Sequence, residues 1–558
     1  MKRDAKFTTR RAGPTTEPAR HRTTNKGHMM RKSYSTAKKT IAAISAAACL
    51  TGLAACGEDS KTDANGKPIV TVQIIKRSPM IAISKMKYAK DLEKACDCTI
   101  QWREASENAW SQQKTASLAA SEVADLTIWG YSNQDLAKYP LFEDLSDDLD
   151  KMPNVQEYFK ESEASRRFAT DLNGHIWQIP SNAGNSPAAL AGGQFMRINK
   201  TWLDKLGLEV PRTWDELTAV LKAFKTQDPN GNGEADEIPF SPHALGTTGF
   251  GWYDSFLLLN STGITTQFFS TGTQGLYSKD GKVGNFMQTD NFRRVIEYYH
   301  SLVEQGLVPQ NAMTKDDSTW SGEVGGDTAR VGVSFGWEVS DFGKNIDQYI
   351  TMRVPKESAS TPDSDVTWEA PVADVYNGAA VSANAKNKDA AFKIINAMLD
   401  PDLTIEGYYG DMGTYVTKEG ENKYSVPEKT FADTSVTYGL ADRTLAWMRP
   451  DFTVGGPGMA SSERAIKAAE VYAPDQKNIG EGDTIPQWVT PSSDDQTTIS
   501  NINTPLFSYA MPVIAKWISQ GGLDDASWNE FQKNLKTLQI DDVVKIYQKW
   551  VDTYAKQN

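Results

Sequence analysis

From Ile69 onward, short β-rich runs alternate with amphipathic helical stretches, and this alternation limits the possible folds more than any other feature. Ile69-Val70-Thr71-Val72-Gln73-Ile74-Ile75 reads as a strand by its β-branched content. A polar helix over 84–95, a strand over 99–102, a helix over 109–120 and a strand over 125–130 follow. Strand, helix, strand, helix, strand implies a parallel, doubly wound α/β sheet. Ligands of such sheets sit beyond the carboxyl ends of the strands, where Trp129 and Tyr131 fall. From about Phe195 a second, more helical region begins. Its helices are expected near 199–206, 213–225, 290–305 and 387–399, with short strands near 330–335 and 350–354. Final helices are expected over 505–519, 526–535 and 540–555, after a polar loop around Ser492–Thr498.

The N-terminal segment bears on where such a fold works. Arg31, Lys32, Lys38 and Lys39 precede an apolar run from Ile41 to Leu53 that ends in Leu53-Ala54-Ala55-Cys56. A basic stretch, a short apolar stretch and small residues before a cut site form a secretory signal, here 29–55. The run is too short to span a hydrocarbon core of about 30 Å. A cysteine directly after small residues resembles the bacterial lipobox, which implies that Cys56 is diacylated and begins the mature chain. Residues 1–28 read as an over-extended start or a disordered leader, and 56–67 as a polar tether. The first 55 residues hold 12 Lys and Arg against 2 Asp and Glu, so their removal takes the formal charge from −12 to −22. That surface gives no electrostatic reason to bind nucleic acid. Cys96 and Cys98 remain without a matching Cys or His cluster and read as structural, buried or joined in a tight bridge.

The run Met196-Arg197-Ile198-Asn199-Lys200-Thr201-Trp202-Leu203-Asp204-Lys205-Leu206-Gly207-Leu208, then Val210-Pro211-Arg212-Thr213-Trp214-Asp215-Glu216-Leu217, resembles family 1 extracellular solute-binding proteins. Thr213 and Glu216 stand at capping-box spacing ahead of a helix. Val372 to Ser382, followed by Asn387-Lys388-Asp389-Ala390-Ala391, is similar to that family's return crossing. The C-terminal run with Trp528, Phe531 and Ile540 to Trp550 looks like the helical end of its larger, oligosaccharide-binding branch. The resemblance implies a two-lobed, periplasmic-binding-protein-like α/β fold, with a cleft between lobes joined by crossing segments. The expected lobes are 68–193 plus about 379–450, and 194–378 plus about 451–558. It further implies a monomeric, lipid-anchored receptor on the extracellular face of the membrane, handing an oligosaccharide to an ABC permease.

After the helix near 213–225, Asp228, Asn230, Asn232 and Asp236 place oxygen-bearing side chains at positions 1, 3, 5 and 9 of a loop, with Gly233 at 6. Such spacing wraps a chain around a hard cation, so structural Ca2+ is expected. Glu234 would give a backbone carbonyl, and Glu237 would close the shell where Pro239 replaces the usual glutamate. The alternative is an Asn/Gly-rich surface turn. Similar loops bind calcium in relatives of the resembled family.

Sugars are held by aromatic faces against C–H surfaces and by polar groups against hydroxyls. Of the 15 tryptophans, Trp129, Trp337 and Trp447 stand near predicted strand ends or a crossing, with Tyr131, Glu338 and Arg449 close by; Trp252 follows the Gly-rich turn 246–251 near Asp254, and Tyr376 sits at the second crossing. Asn185 is a further candidate, with Asp125, Asn182 and Glu369 weaker ones; Trp102, Trp214 and Trp528 are assigned to the core. A secreted glycoside hydrolase would share the acidic, Trp-rich composition. It would need a carboxylate pair across the bond, and no such pair at strand ends and no eightfold barrel pattern is present. The same fold binding a peptide is the other alternative.

Overall fold

The computed structural model describes residues 62–556 except 78, 191–192, 338, 371–373 and 434. Cys56 and the segments 1–28 and 29–55 therefore lie outside the described residues, as does Glu338. The expected alternation is present: β1 (Ile69–Lys76), a helix Lys87–Cys96, β2 (Thr99–Ser106), a helix Glu107–Ala120 and β3 (Leu126–Ile128). Val70, Val72 and Ile74 of β1 are fully buried while Ile69, Thr71 and Gln73 between them are half-buried, the alternation that a pleated strand imposes, and it breaks at the buried Ile75. A disulfide joins Cys96 at the end of its helix to Cys98 just before β2.

β1 pairs in parallel with both β2 and β3. Two later strands, β4 (Ile179–Asn182) and, far downstream, β11 (Val375–Val381), complete a sheet in the order β2-β1-β3-β11-β4. This sheet is mixed, not wholly parallel: β11 runs antiparallel to β3 and β4. The reason is topological. β11 brings the chain back from the second sheet, so it enters at the end where β1 and β3 leave.

The second sheet is built from β5 (Phe195–Asn199), β6 (Ile238–Phe240), β9 (Val331–Gly336) and β10 (Tyr349–Met352), in the order β10-β5-β9-β6. Between them lies a hairpin, β7 (Leu276–Lys279) and β8 (Lys282–Asn285). Phe195 pairs with Gly336, so the start of β5 lies beside the end of β9. Each lobe has its own apolar core. One gathers Val72, Ile74, Ile128, Ile179, Val381 and Trp447. The other gathers Phe195, Trp214, Leu217, Phe256, Val333, Trp517, Trp528 and Phe531. Burying such side chains stabilises each lobe by about 1.5–3 kcal/mol per residue.

One helical stretch corrects the sequence reading. The polar segment 492–498 is not a loop but the start of a helix spanning Ser493–Gln520, with Pro505 and Pro512 inside it. Ser492 accepts a hydrogen bond from the Asp495 amide, and Asp494 and Asp495 sit in the first turn, where acidic side chains favour a helix N-terminus. Among the described residues no helix is long and apolar enough to cross a membrane.

Candidate ligand-binding cleft

Three strands of the first lobe end at one edge, and each delivers a chemically useful side chain: Arg77 after β1, Glu107 after β2 and Trp129 after β3. Trp129 has φ +64°, a left-handed conformation that a bulky residue adopts only when its surroundings enforce it. Its amide donates to the Gly378 carbonyl at 2.9 Å. The Arg443 guanidinium lies 3.7 Å over the Trp129 ring, and the Tyr376 ring stands 5.6 Å away. Arg443 is buried, with one arm on Glu107 and another on Asp442 at 3.2 Å. Asp442 also holds Arg77 at 3.1 Å. The Tyr376 hydroxyl donates to Asp374 at 2.7 Å, and burial raises the Asp374 carboxyl above its usual range. Two buried donors, Trp129 Nε1 and Arg443 Nε, have no partner within the protein.

The second lobe presents a different surface at the end of β9. Trp337 and Trp252 lie 5.5 Å apart, with Phe269 4.9 Å from Trp252. At 37% and 45% exposure they are two of only four large hydrophobic side chains exposed among the described residues. Gly193 lies directly against the Trp337 ring, and Asp341 accepts a hydrogen bond from the Trp337 amide at 2.9 Å.

Other expected residues are placed elsewhere. Tyr131 is buried between Trp110 and Phe142, its hydroxyl 3.0 Å from Ser117. Trp447 is 3% exposed and packs on Tyr158, while Arg449 stacks on it and pairs with Glu157 at 3.0 Å. Asp254 is buried and accepts a hydrogen bond from the Phe256 amide, and desolvation pushes its carboxyl to about 7. These are corrections: each side chain is spent on packing or capping within one lobe. Asn185 ties the first crossing to the Met448 carbonyl at 3.0 Å, and Asn182 bonds Ser162 and Ser165. Asp125 accepts from Thr71 at the start of β3, the end away from Trp129. Glu369 is buried, accepting from the Phe268 amide and from Gln194. Sequence reasoning missed Arg77, Glu107, Asp374, Asp442 and Arg443. The first two follow strand ends and were within its reach; Asp442 and Arg443 sit in a short helical turn with no strand signal.

Beside this region the lobes also enclose a groove of about 440 Å³ lined by Phe168, Trp177, Trp488, Trp550 and Tyr554. Arg167 of the first lobe lies 5.5 Å over Trp488, and Gln487 donates to the Val375 carbonyl at 2.9 Å.

In the Asp228–Glu237 loop, Asp228 accepts from the amides of Gly231, Asn232 and Gly233. The side-chain amides of Asn230 and Asn232 both converge on Asp236 Oδ1, at 2.8 and 3.0 Å. The Glu234 amide donates to Asn232 Oδ1 at 2.7 Å. Glu237 Oε1 is buried with no partner, and burial, then Asp228 and Asp236, raise that carboxyl's pKa. Among the described residues no three His, Cys, Asp or Glu are gathered as a metal site. The orphaned oxygen and the all-oxygen donor set nevertheless fit a hard cation.

Residues 81–405 match the family described as bacterial extracellular solute-binding protein. An extracellular solute-binding protein from Bifidobacterium longum subsp. infantis superposes with a TM-score of 0.84 at 40% identity, covering 88% of this chain and 99% of that one. An HMO-binding, ABC-transporter-associated solute-binding protein from Bifidobacterium longum infantis gives 0.83 at 41% identity, with the same coverage. The fructooligosaccharide ABC transporter substrate-binding protein FusA of Streptococcus pneumoniae is 27% identical over 487 residues, covering 83% of this chain and 86% of FusA.

Proposed function

The chain belongs to the bacterial extracellular solute-binding proteins, and on that premise we propose that it captures an oligosaccharide between its two lobes and presents it to an ABC permease. The observation that carries this reading is the pair of aromatic surfaces at strand ends of opposite lobes: Trp129 with Tyr376 on one, Trp252 with Trp337 on the other. Aromatic faces take the C–H surfaces of pyranose or furanose rings, and the orphaned Trp129 and Arg443 N–H groups await hydroxyl oxygens. Relatives named for fructooligosaccharide and HMO binding support the same ligand class. These relatives are binding proteins, not enzymes.

A ligand that touches both surfaces binds the closed arrangement more tightly than the open one and shifts the population toward closure. The permease then reads the closed form. Cys56 carries the lipid that holds the protein at the outer face of the membrane, with the segment after it as tether. Calcium is held by Asp228, Asn230, Asn232, Asp236 and Glu237, with the Glu234 carbonyl; when bound, it supplies charge that neutralises the loop's acids and fixes its path.

The test is calorimetric titration of the chain from residue 57 with neutral oligosaccharides, peptides as controls. Micromolar or tighter sugar binding without product is expected, and Trp337→Ala should weaken it about 30-fold or more. Heat from peptides alone would remove the carbohydrate reading; released sugar would make the protein an enzyme.

A further inference from the structure

The charged groups at the two aromatic faces carry information about the ligand beyond its class. The first-lobe face holds two arginines, and both are already engaged. Arg443 places its two terminal nitrogens on Glu107 and Asp442, and Arg77 faces Asp442 at 3.1 Å and Glu107 at 3.6 Å. Asp374 adds a third acid to this face, itself tied to Tyr376. A carboxylate is recognised best by a guanidinium fork with two parallel N–H donors free. Arg443 offers no unengaged fork: both terminal nitrogens already sit on carboxylates, and Nε is a buried donor without a partner, as is Trp129 Nε1. One N–H at a time is the geometry that meets a hydroxyl.

The second-lobe face repeats the pattern. Its aromatic pair is backed by Asp341, and a buried lysine of the same lobe, Lys315, is held by Glu323 and Ser241 at 2.6 Å each. At the faces so described, every Lys or Arg named is paired with a carboxylate. An acidic sugar entering here would find the arginines of the first face already engaged by carboxylates, within a mature chain of strong negative charge.

We infer that the cleft selects uncharged oligosaccharides and rejects acidic ones, whether the acid is a uronate or a sialic acid. The inference rests on the oligosaccharide reading above. It also assigns Glu107 and Asp442 a role: they position Arg443 against Trp129 and, by occupying its fork, close the site to carboxylates.

The experiment is calorimetric titration of the chain from residue 57 at low and physiological salt. Neutral 1-kestose, maltotriose and lacto-N-tetraose are compared with trigalacturonate and sialyllactose. At least one neutral glycan binds, and both acidic ones bind at least ~100-fold more weakly, since like-charge juxtaposition is costly. In Asp442→Asn, which removes one of the two acids that hold Arg77 and the acid on one arm of Arg443, trigalacturonate affinity rises at least ~10-fold, and the gain shrinks with added salt. If that variant does not fold, Glu107→Gln makes the same test, its parent side chain being 42% exposed. An acidic glycan binding within about threefold of the best neutral one would overturn the selectivity while leaving the carbohydrate reading intact. Silence from every glycan, with heat from peptides, would overturn both.

Discussion

Gly193 has φ +79°, and a methyl group at its Cβ position would stand 2.4 Å from the Trp337 ring. Gly193→Ala therefore strains the backbone and displaces the ring from its seat. The expected outcome is ligand affinity reduced about as much as by Trp337→Ala, with about 1–2 kcal/mol of stability lost, read by titration and denaturant unfolding. Unchanged affinity would remove Trp337 from the ligand face. Titratable residues set a second expectation. Burial pushes the Asp254 carboxyl from 3.8 to about 7 and that of Glu369 from 4.5 to about 8. The unfolded chain ionises both near pH 4, so the folded state binds more protons across the window from about 4 to about 8, and stability falls as pH rises through it. His243 acts in the opposite sense: burial, helped by Lys315, lowers it from 6.5 to about 4, so stability is lost as pH falls through that window. Two such carboxyls outweigh one imidazole, so through these groups melting temperature should fall as pH rises from about 4.5 to about 8, most steeply above about 6.5, where His243 no longer opposes the decline. In an Asp254→Asn, Glu369→Gln variant the alkaline decline should flatten; an equally steep decline would refute the assignment. The strand-end positions of Trp129 and Trp337 were legible because each follows an obvious strand. Trp447 misled because a Trp beside an Arg looks the same in sequence whether it faces a cleft or, as here, packs on Tyr158.

At the scale of elements, the segment from Thr213 to Glu237 shows how far local rules reach. Thr213 Oγ1 accepts from the Glu216 amide at 3.1 Å, as the capping spacing predicts. The reciprocal bond differs: Glu216 accepts from the Arg212 amide instead of that of Thr213, and the backbone there pairs with Lys356 on both sides. A distant segment altered a local motif. The following loop is pre-wrapped around Asp228 and Asp236, with Glu237 Oε1 left without a partner. If it holds calcium, adding the ion should raise the melting temperature, by about 2.7 kcal/mol of stability at a hundredfold excess over the dissociation constant. Glu237→Gln and Asp228→Asn should abolish that response while retaining the fold. A calcium response undiminished in both variants would place the ion elsewhere. The helix beginning at Ser493 was hidden for a related reason: its polar, serine-rich start looks like a loop until the Ser492 cap is seen.

Over the whole molecule, two lobes with separate cores joined by crossing segments are free to change their relative position, and a ligand spanning both aromatic surfaces should close them. Small-angle scattering should show a smaller radius of gyration at saturating oligosaccharide. A Trp129→Ala, Trp337→Ala variant should keep the unliganded value under the same conditions, and contraction in that variant would show that closure does not depend on these rings. The alternation of strands and helices and the spacing of the Asp228 loop are consequences of local periodicity and composition, so the amino-acid order alone determined them; the two lobes were expected only from the resemblance carried by the 196–217 run. The antiparallel insertion of β11 between β3 and β4, and the meeting of Arg77, Glu107, Trp129, Tyr376 and Arg443, join segments that lie far apart along the chain, Arg443 and Glu107 being 336 residues apart. No local signal encodes such a meeting. It exists because the chain crosses between lobes and returns at the strand ends, and only the packed tertiary structure decides which side chains the return brings together.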